Sequence, residues 1–319
     1  MFSTVESRVI GLIDRLYDEK LSVKDSFVIT GFWRSGITWL QCAIAEAVQG
    51  RSVFEPFHWK VEEYLDLVNA HLRPPTTVRS YLKAFMPYCS DFEKDEALCS
   101  FIQGVMTGSV RASWLHRGRS IMLFPPPSRA VVKFVRGQLI QPAYRCDKYP
   151  ALIHMRRDPR AVLASLLRDN WGRWMHSLSL RDQLLRPDDG RAKYFSRWTE
   201  DIEKADRDTF PVRAATYWAL TERFVSDQGL PESGGVLIRY EEACLERDEY
   251  LNQVLSTMLP DDCPIKPKHL GGDSPTTQNR RSSVVEDRIY GWKDELTTAQ
   301  IEDVESVVRR FELDDSLVE

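Results

Sequence analysis

One stretch limits what this chain can fold into more than any other: Gly31-Phe32-Trp33-Arg34-Ser35-Gly36-Ile37-Thr38-Trp39-Leu40. It follows the apolar run Phe27-Val28-Ile29-Thr30 and opens a mainly apolar segment lasting to Val48, so it reads as strand, glycine loop, helix. A loop of that kind gathers backbone N–H groups and the unpaired first turn of a helix around one point, where the helix dipole favours an anion. Gly31, Gly36 and Thr38 have the spacing of the Walker A phosphate loop, G-x-x-x-x-G-K-[ST]. The lysine of that pattern is missing, because Ile37 stands in its place.

The nearest cation is Arg34, inside the loop. It offers an anion a planar fork of donors from another side than a Walker lysine would. The anion expected here is therefore not a nucleoside triphosphate. Glycine-bearing turns between strand and helix also occur where nothing binds, so the reading needs support from elsewhere in the chain.

Net charge bounds where that support can lie. The chain has 319 residues and a formal charge of -4, which gives no general attraction to nucleic acid, so an anion site must be local. With 43% apolar and 28% charged residues the composition is that of a globular protein. No apolar run approaches the ~18–20 residues of a membrane span. Met1 to Lys20 contains acidic residues and no uninterrupted apolar core, which excludes a signal peptide and leads us to expect a cytoplasmic protein without a membrane partner. Cys42, Cys89, Cys99, Cys146, Cys244 and Cys263 are far apart, with no C-x-x-C pair, as expected of reduced thiols and not of a metal site.

Along the chain, Val5, Val9, Leu12, Ile13 and Leu16 form the apolar stripe of a first helix. Ser52 to Phe54 reads as a short strand that delivers Glu55 and His58 beside a proline turn; in a parallel sheet, strand ends open onto the same crevice as the phosphate loop. From about 60 to 127 the pattern is that of an insertion packed over the edge of the sheet, with helices over 62–72 and 96–115. Ala130 to Val135 is a buried-strand pattern that includes Lys133. A lysine there lies at an edge, snorkels, or points into an anion site.

Ala151 to Met155 is another strand, and Asp158-Pro159 is the preferred N-cap and first-residue pair of the helix that follows. Arg157 and Ser165 sit at this second junction, whereas Arg160 reads as a solvated helix charge. His154 reads as a satisfied core residue. Val236 to Tyr240 forms a further strand, residues 264–284 a loop or lid, and Thr297-Thr298-Ala299-Gln300 a capping box opening a closing helix through Ile301, Val304, Val308 and Phe311.

Two anion-suited junctions so far apart in sequence call for a ligand with two separate phosphate groups. At this point the chain resembles the sulfotransferases that use 3'-phosphoadenosine 5'-phosphosulfate (PAPS). Arg34-Ser35-Gly36-Ile37-Thr38-Trp39-Leu40 is similar to the family's 5'-phosphosulfate loop. Arg157 followed eight residues later by Ser165 resembles its 3'-phosphate signature, in the style of bacterial, carbohydrate and natural-product members. Gly291-Trp292-Lys293 resembles its C-terminal G-x-W-K segment with one residue missing.

The resemblance implies a single three-layer P-loop domain of the α/β class over residues 1–319, with a central, mostly parallel sheet flanked by helices. Helical insertions at about 60–127 and 168–210 would form an acceptor lid. It also implies a cofactor held by Arg34, Ser35, Gly36, Ile37, Thr38, Trp39, Arg157 and Ser165, with no metal, and a small soluble acceptor such as a specialised metabolite, sulfated on a hydroxyl or on an amine or amide nitrogen.

Departures from the family pattern move the chemistry. The histidine base of many cytosolic members is absent from Lys133-Phe134-Val135-Arg136, so the base falls to Glu55 or, second, His58. Arg34 and Lys133 would stabilise the leaving oxygen, and Arg280, Arg281 or Arg288 would replace a basic glycine motif that is not recognisable here. A P-loop kinase, which needs the lysine missing at Ile37, and a non-catalytic nucleotide-binding module remain the alternatives.

Overall fold

Among the described residues five apolar runs become strands; the central ones are buried on both faces, the environment in which Val, Ile and Phe pack best on a pleated surface, and the last is only half-buried. In the computed structural model they are β1 (Ser22–Thr30), β2 (Arg51–Phe54), β3 (Arg129–Phe134), β4 (Ala151–Arg156) and β5 (Val236–Arg239). The structure describes residues 21–72, 74–89, 95–116, 127–145, 151–169, 177–230, 235–260, 263–270 and 284–318. The first helix expected from Val5 to Leu16, Cys146, and the basic loop with Arg280 and Arg281 lie outside these residues.

All pairings are parallel, in the order β2-β3-β1-β4-β5. Thr30 is opposite Phe134 on one side and His154 on the other, so β1 and β3 end together while β4 runs on to Arg156 beside β5. The chain leaves β1 toward β2 on one side and leaves β4 toward β5 on the other. Adjacent strands whose outgoing connections diverge in this way form a switch point, with a crevice outside their carboxyl ends.

The side-chain alternation of β1 divides the core. Phe27 and Ile29 face one apolar cluster with α1 (Ile37–Ala47), α4 (Pro159–Arg168), α5 (Phe210–Asp227) and α7 (Thr298–Arg310). Val28 faces the other, with Val132, Leu152 and the helices α2 (Glu62–Leu67) and α3 (Glu96–Thr107). Two helical layers thus enclose the sheet. Each fully buried Val, Ile or Phe contributes ~1.5–3 kcal/mol. A short helix α6 (Tyr240–Leu245) follows β5 directly. Among the described residues no helix is long and apolar enough to cross a membrane.

Several local expectations change. The insertion lies over a face of the sheet and reaches the central strand, not only its edge, because Val28 and Leu152 need covering as much as Val53 does. The helix expected over 96–115 stops at Thr107, where Gly108 takes φ 85° and turns the chain, and a separate short helical turn covers Ser113–His116. Tyr240 begins a helix instead of ending a strand. The caps match: Asp158 accepts from the Arg160 N–H, Pro159 occupies the first turn, and Thr297 and Gln300 form the full capping box. Arg160 is not solvated. It is buried over Trp292 and paired with Asp158 (2.7 Å) and Glu305 (2.7 Å), while it also donates to the Val318 carbonyl (2.6 Å). Cys42 and Cys244 are free thiols.

Candidate active site

The loop after β1 turns sharply enough to require unusual backbone. Arg34 has φ 68° and Gly36, which caps α1, has φ 86°. The glycines are needed for space as well. A Cβ on Gly31 would lie 2.6 Å from the Met155 carbonyl oxygen, and one on Gly36 would lie 2.4 Å from the Tyr240 ring. Ile37, at the Walker-lysine position, is buried beside Gly31, so it serves packing. Trp39 contacts the Tyr240 ring edge-on and donates to the Leu270 carbonyl (3.5 Å). The Ser35 hydroxyl is buried and has no hydrogen-bond partner among the described residues. A buried hydroxyl in that state costs free energy until something accepts its proton.

A cation does reach this loop, but from the neighbouring strand. The Lys133 ammonium, on β3, is 1% exposed, 2.9 Å from Thr38 Oγ1, 3.2 Å from Glu55 Oε1 and 3.5 Å from the Phe54 ring centroid. Of the alternatives for this lysine, edge and snorkelling positions are therefore ruled out. Burial pulls its pKa below the ordinary lysine value, and the Glu55 carboxylate opposes that shift.

Glu55, just past β2, adopts φ 45°, and its N–H donates to the Lys133 carbonyl (3.0 Å). This strained backbone turns its carboxylate back toward Lys133 and Arg136, the latter 3.6 Å away. Arg136 is held in turn by the Lys83 (2.7 Å) and Phe57 (3.1 Å) carbonyls. His58 stacks on Trp114 (3.8 Å between centroids) and its Nδ1 accepts from the Lys60 N–H (3.2 Å), so it braces the turn that follows Glu55.

The two junctions at the switch point touch directly. Arg34 donates from Nε to Ser165 Oγ (2.8 Å), and Arg157 donates from Nη1 to the Arg34 carbonyl (2.9 Å) and from Nη2 to the Arg288 carbonyl (2.8 Å). The Arg157 guanidinium lies 4.3 Å from the Tyr240 ring centroid, and its Nε is buried without a partner among the described residues. Burial lowers the Arg34 pKa, Asp169 opposes, and Arg157 and Arg168 add to the lowering. Glu241 accepts from the Asp158 N–H (3.0 Å) behind this cluster; burial raises its carboxyl above the usual range.

Beneath the loop, His154 is fully buried, as expected for a satisfied core residue. Its Nδ1 meets Thr30 Oγ1 (2.9 Å), and its Nε2 meets Glu222 (2.9 Å), which also accepts from Arg156 (2.9 Å). Burial works to raise the Glu222 carboxyl, and His154 and Arg156 more than offset it, so it titrates below the usual carboxylate value. Sequence reasoning missed Arg136, Asp169, Glu222 and Tyr240. Asp169 alone had a signal, its place four residues after Ser165 on one helix face.

No protein-family model and no curated protein matches this chain. Among solved structures it is similar to the sulfotransferase domain of the Synechococcus PCC 7002 olefin synthase, at 15% identity over 92% of this chain and 96% of that one, with TM-score 0.43. It is also similar to retinol dehydratase in a complex with retinol and PAP, at 13% identity over 98% of this chain and 88% of that one, with TM-score 0.37.

Proposed function

We propose that this protein is a sulfotransferase that moves the sulfuryl group of PAPS to a hydroxyl, or an amine or amide nitrogen, of a small-molecule acceptor such as a specialised metabolite. The observation that carries the reading is the Lys133 ammonium, buried between Thr38 of the loop and Glu55. In a Walker loop the equivalent hydroxyl ligates magnesium and the loop's own lysine meets the terminal phosphates. Here the hydroxyl accepts from an ammonium supplied by the adjacent strand, beside a carboxylate suited to proton removal.

The residues fit the nucleotide. The buried Ser35 hydroxyl and Arg157 Nε are donors awaiting acceptors, and they stand at two separate junctions, as a ligand with a 5' and a 3' phosphate group requires. The loop amides, Ser35 and Thr38 would hold the 5' end, and Arg157 and Ser165 the 3'-phosphate. Bound PAPS supplies a sulfuryl group activated by its link to phosphate. Lys133 stabilises negative charge at the leaving oxygen, Glu55 takes the acceptor's proton, and the low exposure of both keeps the interaction strong.

Thermal unfolding with 3'-phosphoadenosine 5'-phosphate (PAP) and with ATP plus magnesium tests this. Stabilisation by PAP is expected; stabilisation by ATP alone overturns the reading in favour of a kinase.

A further inference from the structure

The C-terminal end of α4 places a carboxylate on the basic side of the crevice. Asp169 ends the helix with its N–H donating to the Ser165 carbonyl (3.2 Å), which puts it one turn beyond Ser165 on the same face. Its Oδ2 is 2.6 Å from Arg34 Nη2, and the two side chains are 6% and 15% exposed. One guanidinium thus spans the Ser165 hydroxyl and the Asp169 carboxylate. Arg157 and Arg168 lie close enough to lower the Arg34 pKa further, and Arg168 is paired with Glu295 (2.9 Å).

We propose that Asp169 is the resident counter-anion of the 3'-phosphate site, holding Arg34 until a ligand phosphate displaces it, and that this exchange selects ligands bearing a 3'-phosphate. The inference rests on the function proposed above and gives Arg34, expected from the resemblance at the leaving oxygen, to the 3'-phosphate instead, because its guanidinium meets Ser165 and Asp169. A carboxylate carries one negative charge and a phosphate monoester nearly two with three acceptor oxygens, so a phosphate competes well for the Arg34 fork and a ribose hydroxyl does not. Without ligand, Asp169 spares Arg34 the cost of a largely buried, unpaired charge. With ligand, its carboxylate is a like charge beside the phosphate, so affinity is sacrificed for selectivity.

The experiment is titration calorimetry of the full chain with PAP and with adenosine 5'-phosphate, for the wild type, Asp169→Asn, Arg34→Gln and the double variant. Removing one negative charge at this range is expected to tighten PAP binding about tenfold in D169N, with adenosine 5'-phosphate changed less than about threefold. D169N leaves Arg34 unpaired and is the variant most prone to misfold; the double variant lacks both partners and avoids that cost. It is expected to bind PAP more tightly than R34Q does.

If Asp169 only positions Arg34, D169N binds PAP more weakly and the second substitution does nothing in the R34Q background; either result overturns the inference. A wild type that binds PAP while no variant changes the ratio of the two affinities sinks the inference alone. A wild type that does not bind PAP removes the proposed function and the inference together.

Discussion

Replacing Lys133 by Met removes the one charge that joins the loop to Glu55 and keeps most of the side-chain volume. For folding, the structure sets opposing terms. Breaking a buried ion pair costs ~3–5 kcal/mol when the partner is left stranded. Glu55 is not stranded, because it is 17% exposed and keeps Arg136 at 3.6 Å. The methionine also sheds the desolvation penalty that depresses the lysine's pKa. The net loss is expected at ~0–2 kcal/mol, a fall in Tm of at most several degrees for a chain of this size. For the chemistry there is no such offset. Deleting one preorganised group that faces developing charge typically costs ~3–4 kcal/mol, about 10²–10³ in kcat. PAP lacks the transferred group, so its affinity for K133M is expected to fall less than about tenfold, the effect of one lost cation near a screened phosphate. The assay follows PAP release from PAPS with a panel of small alcohols, phenols and amines as acceptors, beside calorimetric titration of PAP and circular dichroism melting. Turnover within threefold of wild type, or a loss of PAP affinity as large as the loss of turnover, would falsify the assignment of Lys133 to the leaving oxygen.

Glu55→Gln keeps the shape of the side chain but cannot take a proton, so turnover is expected to drop about 10²–10⁴-fold with PAP affinity nearly unchanged; full turnover would remove Glu55 from this role. Glu222→Gln removes the carboxylate that His154 and Arg156 share, leaving Arg156 with Ser226 (2.7 Å) and Asp315 (3.6 Å), and is expected to cost about 3 kcal/mol in urea unfolding at neutral pH. Because the folded carboxyl titrates below its ordinary 4.5, Glu222 stabilises fully above that pH and progressively less as pH falls through its lowered value, so the gap between wild type and E222Q should close in acid; a gap constant with pH contradicts the linkage. Gly36→Ala forces a Cβ to within 2.4 Å of the Tyr240 ring at a positive φ, and a loss of about 1–3 kcal/mol with weakened PAP binding is expected in melting and titration. Unchanged PAP binding by a folded G36A would show that the loop does not grip the ligand.

Much of this site is legible in the residues because its local chemistry is local in sequence. The glycine spacing at Gly31 and Gly36 and the Asp158-Pro159 cap each need only a few consecutive residues, and the structure builds both junctions at those positions. Short continuous apolar runs give the strands, and a capping box gives the start of α7. Lys133 shows where such reasoning stops. A lysine in an apolar run fits an edge, a snorkelling stem or a site equally well until its neighbours are known, and here its partners Thr38 and Glu55 come from two other segments. Arg160 misleads for the same reason, since the carboxylate of Glu305 and the carbonyl of Val318 that bury it come from the far end of the chain.

The amino-acid order alone therefore determines that there are two strand-to-helix junctions suited to anions and a loop whose own lysine is missing. Hydrogen bonds within a turn and the conformational limits of Gly and Pro act over a few residues, so no tertiary information is needed for them. Only the tertiary structure decides that β3 supplies the absent cation, that Arg34 turns to Ser165 and Asp169, and that the crevice opens between β1 and β4. Those outcomes depend on which strands become neighbours, and strand order follows from how the whole chain buries its two apolar faces.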